Sequence, residues 1–320
     1  MRANGMFCQQ LGVPVPSDLD LCYYVTWRHG LGDSAATLRS KVSAIGWHFK
    51  EHLDREVTKE DGRLKPKLGR VLRGIQRMSA STKRTRRPVT VPILNEFLDA
   101  LGAACPDLCA PDQILYSAAM SIAVYGLLRA SEYTAKGTKQ FVAGTTLLGQ
   151  DVTFDLGPDG QPTAARLHIR AAKEDRLRDS QDIVIHAVAG PRCPVKMLWR
   201  AARVRTGGPS EPFFGLADGS YLTRDRVTRR LRQAAEQAGY APGEWASHSF
   251  RAGGACSLAA SSGMSSELLS ICGRWKSNAK ELYLHHLPPS VLRDCHARMA
   301  RLTSRDITAS SIAAYDGRFD

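Results

Sequence analysis

ARLHIRAAK (165–173), EDRLRDSQ (174–181) and DIVIHAV (182–188) mark the point where the apolar residues of this chain change from a helical period to an alternating one. The outer runs carry the β-branched residues and the middle run is polar, which predicts a β-hairpin. On both sides the pattern is helical. Downstream it continues through VKMLWRAARV (195–204), TRDRVTRRLRQAAEQAG (223–239), HSFRAGGACSLAASSG (248–263), SSELLSIC (265–272), NAKELYLHHL (278–287) and PPSVLRDCHARMARLT (288–303). Upstream, helices are expected at about 93–103 and 112–133, and earlier in LDLCYYVTWRHGL (19–31), DSAATLRSKVSAIGWHFKEHL (33–53) and LKPKLGRVLRGIQRM (64–78), with Ser34 or Asp33 as N-cap of the second. No strand pattern interrupts residues 18–80, and no βα alternation or internal repeat is present. The expected fold class is therefore mainly α with a small antiparallel β-sheet.

A chain of 320 residues is longer than one typical domain. In 64–78, Leu68, Val71, Leu72, Ile75 and Met78 recur on one helical face, while Arg70, Arg73 and Arg77 share another. Between Arg63 and Arg87 ten basic residues occur with no acidic one. Solvated faces usually mix signs, so this run favours phosphate contact. In STKRTRRPVTVP (81–92), Pro88 and Pro92 disfavour helix, and the segment reads as an extended basic linker. The expected domains are a helical N-terminal domain (1–82), a basic linker (83–92), a larger domain (93–303) and a C-terminal tail (304–320).

The 44 Lys and Arg against 31 Asp and Glu give a net charge of +13 and a pI near 9.6, which favours a polyanionic partner. A membrane is not expected, because the most apolar run, AAMSIAVYGLL (118–128), is shorter than the ~18 residues needed to span one and contains Ser121 and Gly126. The N-terminus lacks an unbroken apolar signal region, so an intracellular protein is expected, nuclear in a eukaryote and cytoplasmic in a bacterium. The eight cysteines show no framework spacing, as expected of reduced thiols. Only Cys105 and Cys109 pair closely, with no second Cys/His pair to complete a zinc site. No GxxxxGK[ST] loop and no carboxylate set for two-metal phosphoryl transfer is present, and no cofactor is expected.

Three strings carry candidate chemistry: GLLRASE (126–132), HSFRAGGA (248–255) and GRWKSNAKELY (273–283). Arg129 reads as the end of an apolar helix. There it is either a local ion-pair partner of Glu132, or a guanidinium fork for bidentate phosphate binding that Glu132 orients. His248 and Arg251, at i and i+3, point the same way near a helix N-terminus that Ser247 is placed to cap, and such a terminus favours anions. Gly253, Gly254, Ala255 and Ala259 are small enough to let this helix pack closely against a neighbour. Gly273 reads as a helix C-cap, Trp275 as a turn residue and Tyr283 as a helical residue eight positions on. A phenol with a pKa near 10 needs neighbouring cations or a base before it attacks phosphate. Lys173, at the end of the first hairpin strand, is either a solvated turn lysine or a proton donor to a leaving alkoxide. Arg170, Arg176 and Arg178 compete with it for phosphate. Each string alone is also what an ordinary ion pair or core tyrosine looks like, and the combination is what is specific.

Together these strings resemble the tyrosine recombinase (phage integrase) superfamily over roughly residues 18–300, and HSFRAGGA and GRWKSNAKELY resemble the versions in mobile elements such as cryptons and DIRS-like retrotransposons. The resemblance implies a site-specific recombinase or integrase acting on double-stranded DNA, working on it as a homo-oligomer (dimer or tetramer). It makes the domain at 1–82 DNA-binding and the one at 93–303 catalytic. Tyr283 would be the nucleophile, giving a 3′-phosphotyrosyl link and a free 5′-hydroxyl, and rejoining would need neither metal nor ATP. Arg129 and Arg251 would bind the non-bridging oxygens. Lys173 would protonate the leaving 5′-oxygen, His248 would assist proton transfer and Trp275 would pack or hydrogen-bond at the phosphate. The DNA-binding residues would be Arg70, Arg73, Arg77, Lys83, Arg84, Arg86 and Arg87, on two domains closing around the duplex as a clamp. Many integrases place the nucleophile nine residues after the histidine or tryptophan, where this chain has eight. The alternatives are a type IB topoisomerase-like relaxing activity and a domesticated protein that only binds DNA. The helix at 288–303, with Val291, Leu292, Cys295, Met299 and Leu302 on one face, packs in cis or reaches a neighbouring protomer.

Overall fold

The computed structural model describes residues 15–78, 86–170, 180–261, 272–274 and 289–307. The chain divides into two compact units, Met1–Arg84 and Thr85–Asp320. Among the described residues no helix is long and apolar enough to cross a membrane.

In the first unit, helix α1 (Asp18–Gly30) begins at a capping box in which Asp20 N donates to Ser17 Oγ and Ser17 N to Asp20 Oδ2. Helix α2 (Ala35–Leu53) is capped by Ser34 Oγ, which accepts from Thr37 N. A two-stranded ribbon, β1 (Lys59–Glu60) with β2 (Arg63–Leu64), interrupts the helices expected here. Its turn is Asp61-Gly62, both at positive φ (49° and 74°), the conformation that a tight hairpin demands and that Asp-Gly supplies. Helix α3 (Pro66–Met78) starts with proline, whose missing N–H costs nothing in a first turn. Leu68, Leu72 and Ile75 join Leu21, Val25, Leu38, Val42 and Phe49 in the core. Arg70, Arg73 and Arg77 are exposed on the other face. Met78 departs from the expected apolar face and is 79% exposed at the helix end.

The second unit is built on α4 (Val91–Ala104) and α5 (Ala110–Tyr125). Every residue of α5 from Ala118 to Tyr125 is buried, as a helix apolar on all sides must be. The helix expected to continue to 133 stops here. Leu127 N donates to Val124 O and Leu128 N to Ala123 O, the paired bonds that close a helix C-terminus, with Leu127 in the left-handed region (φ 46°). A separate turn, α6 (Ala130–Tyr133), follows. The antiparallel sheet has the order β3 (Val152–Leu156), β4 (Pro162–Ile169), β5 (Gln181–His186). The β4–β5 pairing sets Ala165 opposite Ile185 and Leu167 opposite Ile183. The hairpin is thus present, and β3 is a third strand that the apolar pattern did not reveal. Helices α7 (Pro194–Val204), α8 (Arg224–Gln237), α9 (His248–Ala260) and α10 (Pro289–Ala300) complete the described core.

Helix α10 packs in cis against β5 and α9, with Cys295, His296 and Met299 buried. Residues 86–90, within the expected linker, run extended and are bonded to this unit. Arg87 N donates to Glu244 O (3.0 Å) and Val89 N to Ser249 O (2.8 Å), and Arg87 pairs with Glu244 (3.1 Å). Val91 N, opening α4, donates to Ser257 Oγ at 2.9 Å.

Candidate active site

Helix α9 supplies His248 and Arg251. Two glycines set its depth. A Cβ at Gly253 would lie 1.8 Å from Val89 O, and one at Gly254 would lie 2.1 Å from Val124 O. The helix is therefore wedged between the 86–90 segment and the end of α5. Ser247 does not cap it: its backbone is helical (φ −55°, ψ −29°) and its hydroxyl accepts from Arg224 Nε at 3.0 Å. Ser249 Oγ instead accepts from Ala246 N at 3.1 Å. His248 is half-buried at the first helical position.

Arg251 is 4% exposed and donates through one terminal nitrogen to Leu127 O and through the other to Gly273 O. One guanidinium so ties together the described parts of all three strings. Arg129 stands between α5 and α6 as the N-cap of α6, and does not end a long helix as expected. Its N–H donates to Glu132 Oε2 at 2.9 Å and its Nη1 to Glu132 Oε1 at 3.3 Å.

Arg274, absent from the sequence reading, is the tighter partner of Glu132. Nη2 donates to Oε2 at 2.8 Å and Nη1 to Oε1 at 3.2 Å, with the two side chains 7% and 2% exposed. Nη2 also reaches Leu127 O at 3.1 Å. Arg274 holds the left-handed position (φ 55°) after the helical Gly273, so the arginine rather than the glycine occupies the terminating conformation. Burial pushes the Glu132 carboxyl up. Arg274, then the Arg129 N–H and Arg251, more than offset it, so the group lies below its ordinary value and is ionised at neutral pH. Three guanidiniums around one carboxylate leave a net positive charge in a shielded place, and such a place favours an anion.

Arg170 is withdrawn from any competition for phosphate. It clamps the buried carboxylate of Asp151 through Nη2 (2.7 Å) and Nε (3.0 and 3.1 Å). Lys173, Trp275 and Tyr283, with Lys83, Arg84, Arg176 and Arg178, lie outside the described residues. Arg86 and Arg87 are exposed in the second unit, and Arg70, Arg73 and Arg77 in the first. Among the described residues no three His, Cys, Asp or Glu side chains are grouped to hold a metal ion.

No family model matches this sequence, and no curated protein does. Solved structures do. A XerH site-specific recombinase bound to palindromic difH substrate, in a post-cleavage complex, aligns at TM-score 0.52 and 15% identity over 87% of this chain and 69% of that one. The pre-cleavage complex of XerH with difH aligns at TM-score 0.51 and 14% identity, over the same shares. The Tn1549 transposon integrase in complex with circular intermediate DNA aligns at TM-score 0.50 and 14% identity, over 91% of this chain and 83% of that one. A likeness at this identity is one of backbone architecture, and by that measure the chain has the fold of the tyrosine recombinases.

Proposed function

We propose that this protein is a site-specific DNA recombinase or integrase that cuts and rejoins double-stranded DNA through a 3′-phosphotyrosyl intermediate. The observation that carries the reading is the convergence of Arg129, Arg251 and the residues around Gly273 on Leu127 O and Glu132. It gathers guanidinium charge at one spot from three separate strings, the first of them more than a hundred residues before the other two.

In this reading Arg129 and Arg251 bind the non-bridging oxygens of the scissile phosphate as charge builds on them. The Tyr283 oxygen attacks phosphorus, the bond from phosphorus to the 5′-oxygen breaks, and the phenolic proton passes to His248 or water. Lys173 gives a proton to the leaving 5′-oxygen, and Trp275 packs at the phosphate. Glu132 keeps the arginines in register. Attack of a 5′-hydroxyl from another strand reverses these steps, so the phosphodiester energy is conserved and no ATP is consumed. Residues 1–82 supply a DNA-binding domain, with Arg70, Arg73 and Arg77 on phosphates, and Lys83, Arg84, Arg86 and Arg87 add further phosphate contacts. Strand exchange between two duplexes calls for more than one copy, a dimer or tetramer on DNA. The XerH and Tn1549 proteins seen bound to DNA support this assignment of the partner.

The test is covalent trapping on nicked duplexes taken from DNA flanking the gene, in EDTA, with wild type beside Tyr283→Phe. An adduct that forms in wild type and is lost in the variant is expected. An adduct that survives the substitution points to another nucleophile, with Tyr315 next in line. Plasmid relaxation without recombinant product would instead indicate a topoisomerase-like outcome.

A further inference from the structure

We infer that Arg274 is a positioning residue: it takes up the charge of Glu132 and thereby sets where the guanidiniums of Arg129 and Arg251 stand. The inference rests on the reading of those two arginines as phosphate ligands.

The left-handed region is disfavoured for residues with a side chain, and glycine or asparagine is the usual occupant at a helix end. An arginine is held there, next to a glycine, with its guanidinium 7% exposed. What holds it is specific. The fork meets both oxygens of Glu132 at 2.8 and 3.2 Å, a bidentate pairing that a lysine ammonium cannot copy. Arg129 reaches the same carboxylate through Nη1 at 3.3 Å, longer than charge-assisted bonds usually are. Arg274 also shares the carbonyl of Leu127 with Arg251. Three segments of chain are locked through one carboxylate and one carbonyl, and Arg274 is on both.

If Arg274 is removed, Glu132 stays buried and still needs a cation. The nearest one is Arg129, which is then drawn into an internal ion pair that competes with phosphate. A lost cavity filler would behave differently. Neutralising the carboxylate should cure an electrostatic fault and should do nothing for a packing fault.

The experiment uses the full chain and two readouts: the slope of log K for duplex DNA binding against log [NaCl], and the rate of adduct formation on a nicked duplex. Each phosphate contact contributes about 0.9 to the slope. Arg274→Ala is expected to make the slope shallower by about 0.9 and to slow adduct formation at least tenfold. Arg274→Ala with Glu132→Gln should recover most of both, because an amide asks for no cation. Arg274→Lys should fall between wild type and Arg274→Ala. The inference is overturned if Arg274→Ala keeps the wild-type slope and rate, or if the double variant is no better than the single one. Should Arg274→Ala fail to fold, Arg274→Lys decides: it keeps the charge and loses the fork, and is expected to make the slope shallower and adduct formation slower than in wild type, whereas wild-type values of both overturn the idea. A wild-type protein that binds DNA but makes no adduct defeats the recombinase reading, and the slopes still judge Arg274. A wild type that does not bind duplex DNA defeats both.

Discussion

At Gly253 the absence of one methyl group lets backbone touch backbone. A Cβ there would stand 1.8 Å from Val89 O, and neither α9 nor the segment opposite is the flexible end of a side chain that can swing away. Gly253→Ala is therefore expected to cost about 1–3 kcal/mol, as over-packing does. Urea unfolding checks this, with Gly102→Ala as a control. Gly102 is exposed on α4 with its nearest neighbour at 3.7 Å, and alanine there should add about 0.4–1 kcal/mol through helix propensity. The small residues of HSFRAGGA announced this close approach in the sequence, because only packing explains adjacent glycines inside a helix. Arg274 gave no such signal. A positive φ at arginine is dictated by its partners Glu132 and Leu127, 142 and 147 residues away, and no local composition encodes it. Ser247 shows the converse. Its type suits an N-cap, but Arg224 claims its hydroxyl.

Long periodic elements were legible, and short ones were not. Helix α3 and strand β5 start and end within two residues of their apolar runs, and β4 lies three to four residues earlier than its run suggested. The β1–β2 ribbon escaped because Lys59, Glu60 and Arg63 face solvent and have no alternation to read, although its Asp-Gly turn was in plain sight. The break between α5 and α6 escaped because AVYGLL is apolar throughout, while the closing bonds at Leu127 and Leu128 are made by the backbone. Of the apolar face expected on helix α10, Cys295 and Met299 are buried, Leu302 lies beyond the helix end, and a histidine is buried beside them. His296 is 5% exposed and its Nδ1 accepts from His186 N at 3.1 Å. Burial, with His186 nearby, lowers its pKa from 6.5 to about 4. The folded state thus binds fewer protons than the unfolded one, and stability is expected to fall as pH drops from about 6.5 towards about 4. Urea midpoints at pH 7 and pH 5 should show the loss, and His296→Gln, which keeps an acceptor, should flatten it. An unchanged pH response in that variant would assign the effect elsewhere. His186, also lowered by burial, is the first alternative.

The size of the charge excess does not reveal how the cations of the described residues are divided. Many arginines of the second unit are spent internally, on Asp151, Asp155, Asp99 and Asp107, whereas Arg70, Arg73 and Arg77 stand exposed along one face of α3. Changing those three together to glutamine should lower the salt slope of DNA binding by about 0.9 for each phosphate released, and leave the unfolding midpoint of the second unit in place. A slope unaffected by all three would remove α3 from the DNA-facing surface. Net charge points to a class of partner, while the division between paired and exposed cations needed the fold. The segment from Arg87 to Val91 has a practical bearing on how the larger unit is best isolated. Its amides supply Ser249 O and Ser257 Oγ with their donors, and Val89 and Thr90 are buried against α9. A protein expressed from Ile93 onward, where linker composition ends, would expose the bare backbone at Gly253 and invite aggregation. One begun at Arg86 keeps that seam closed.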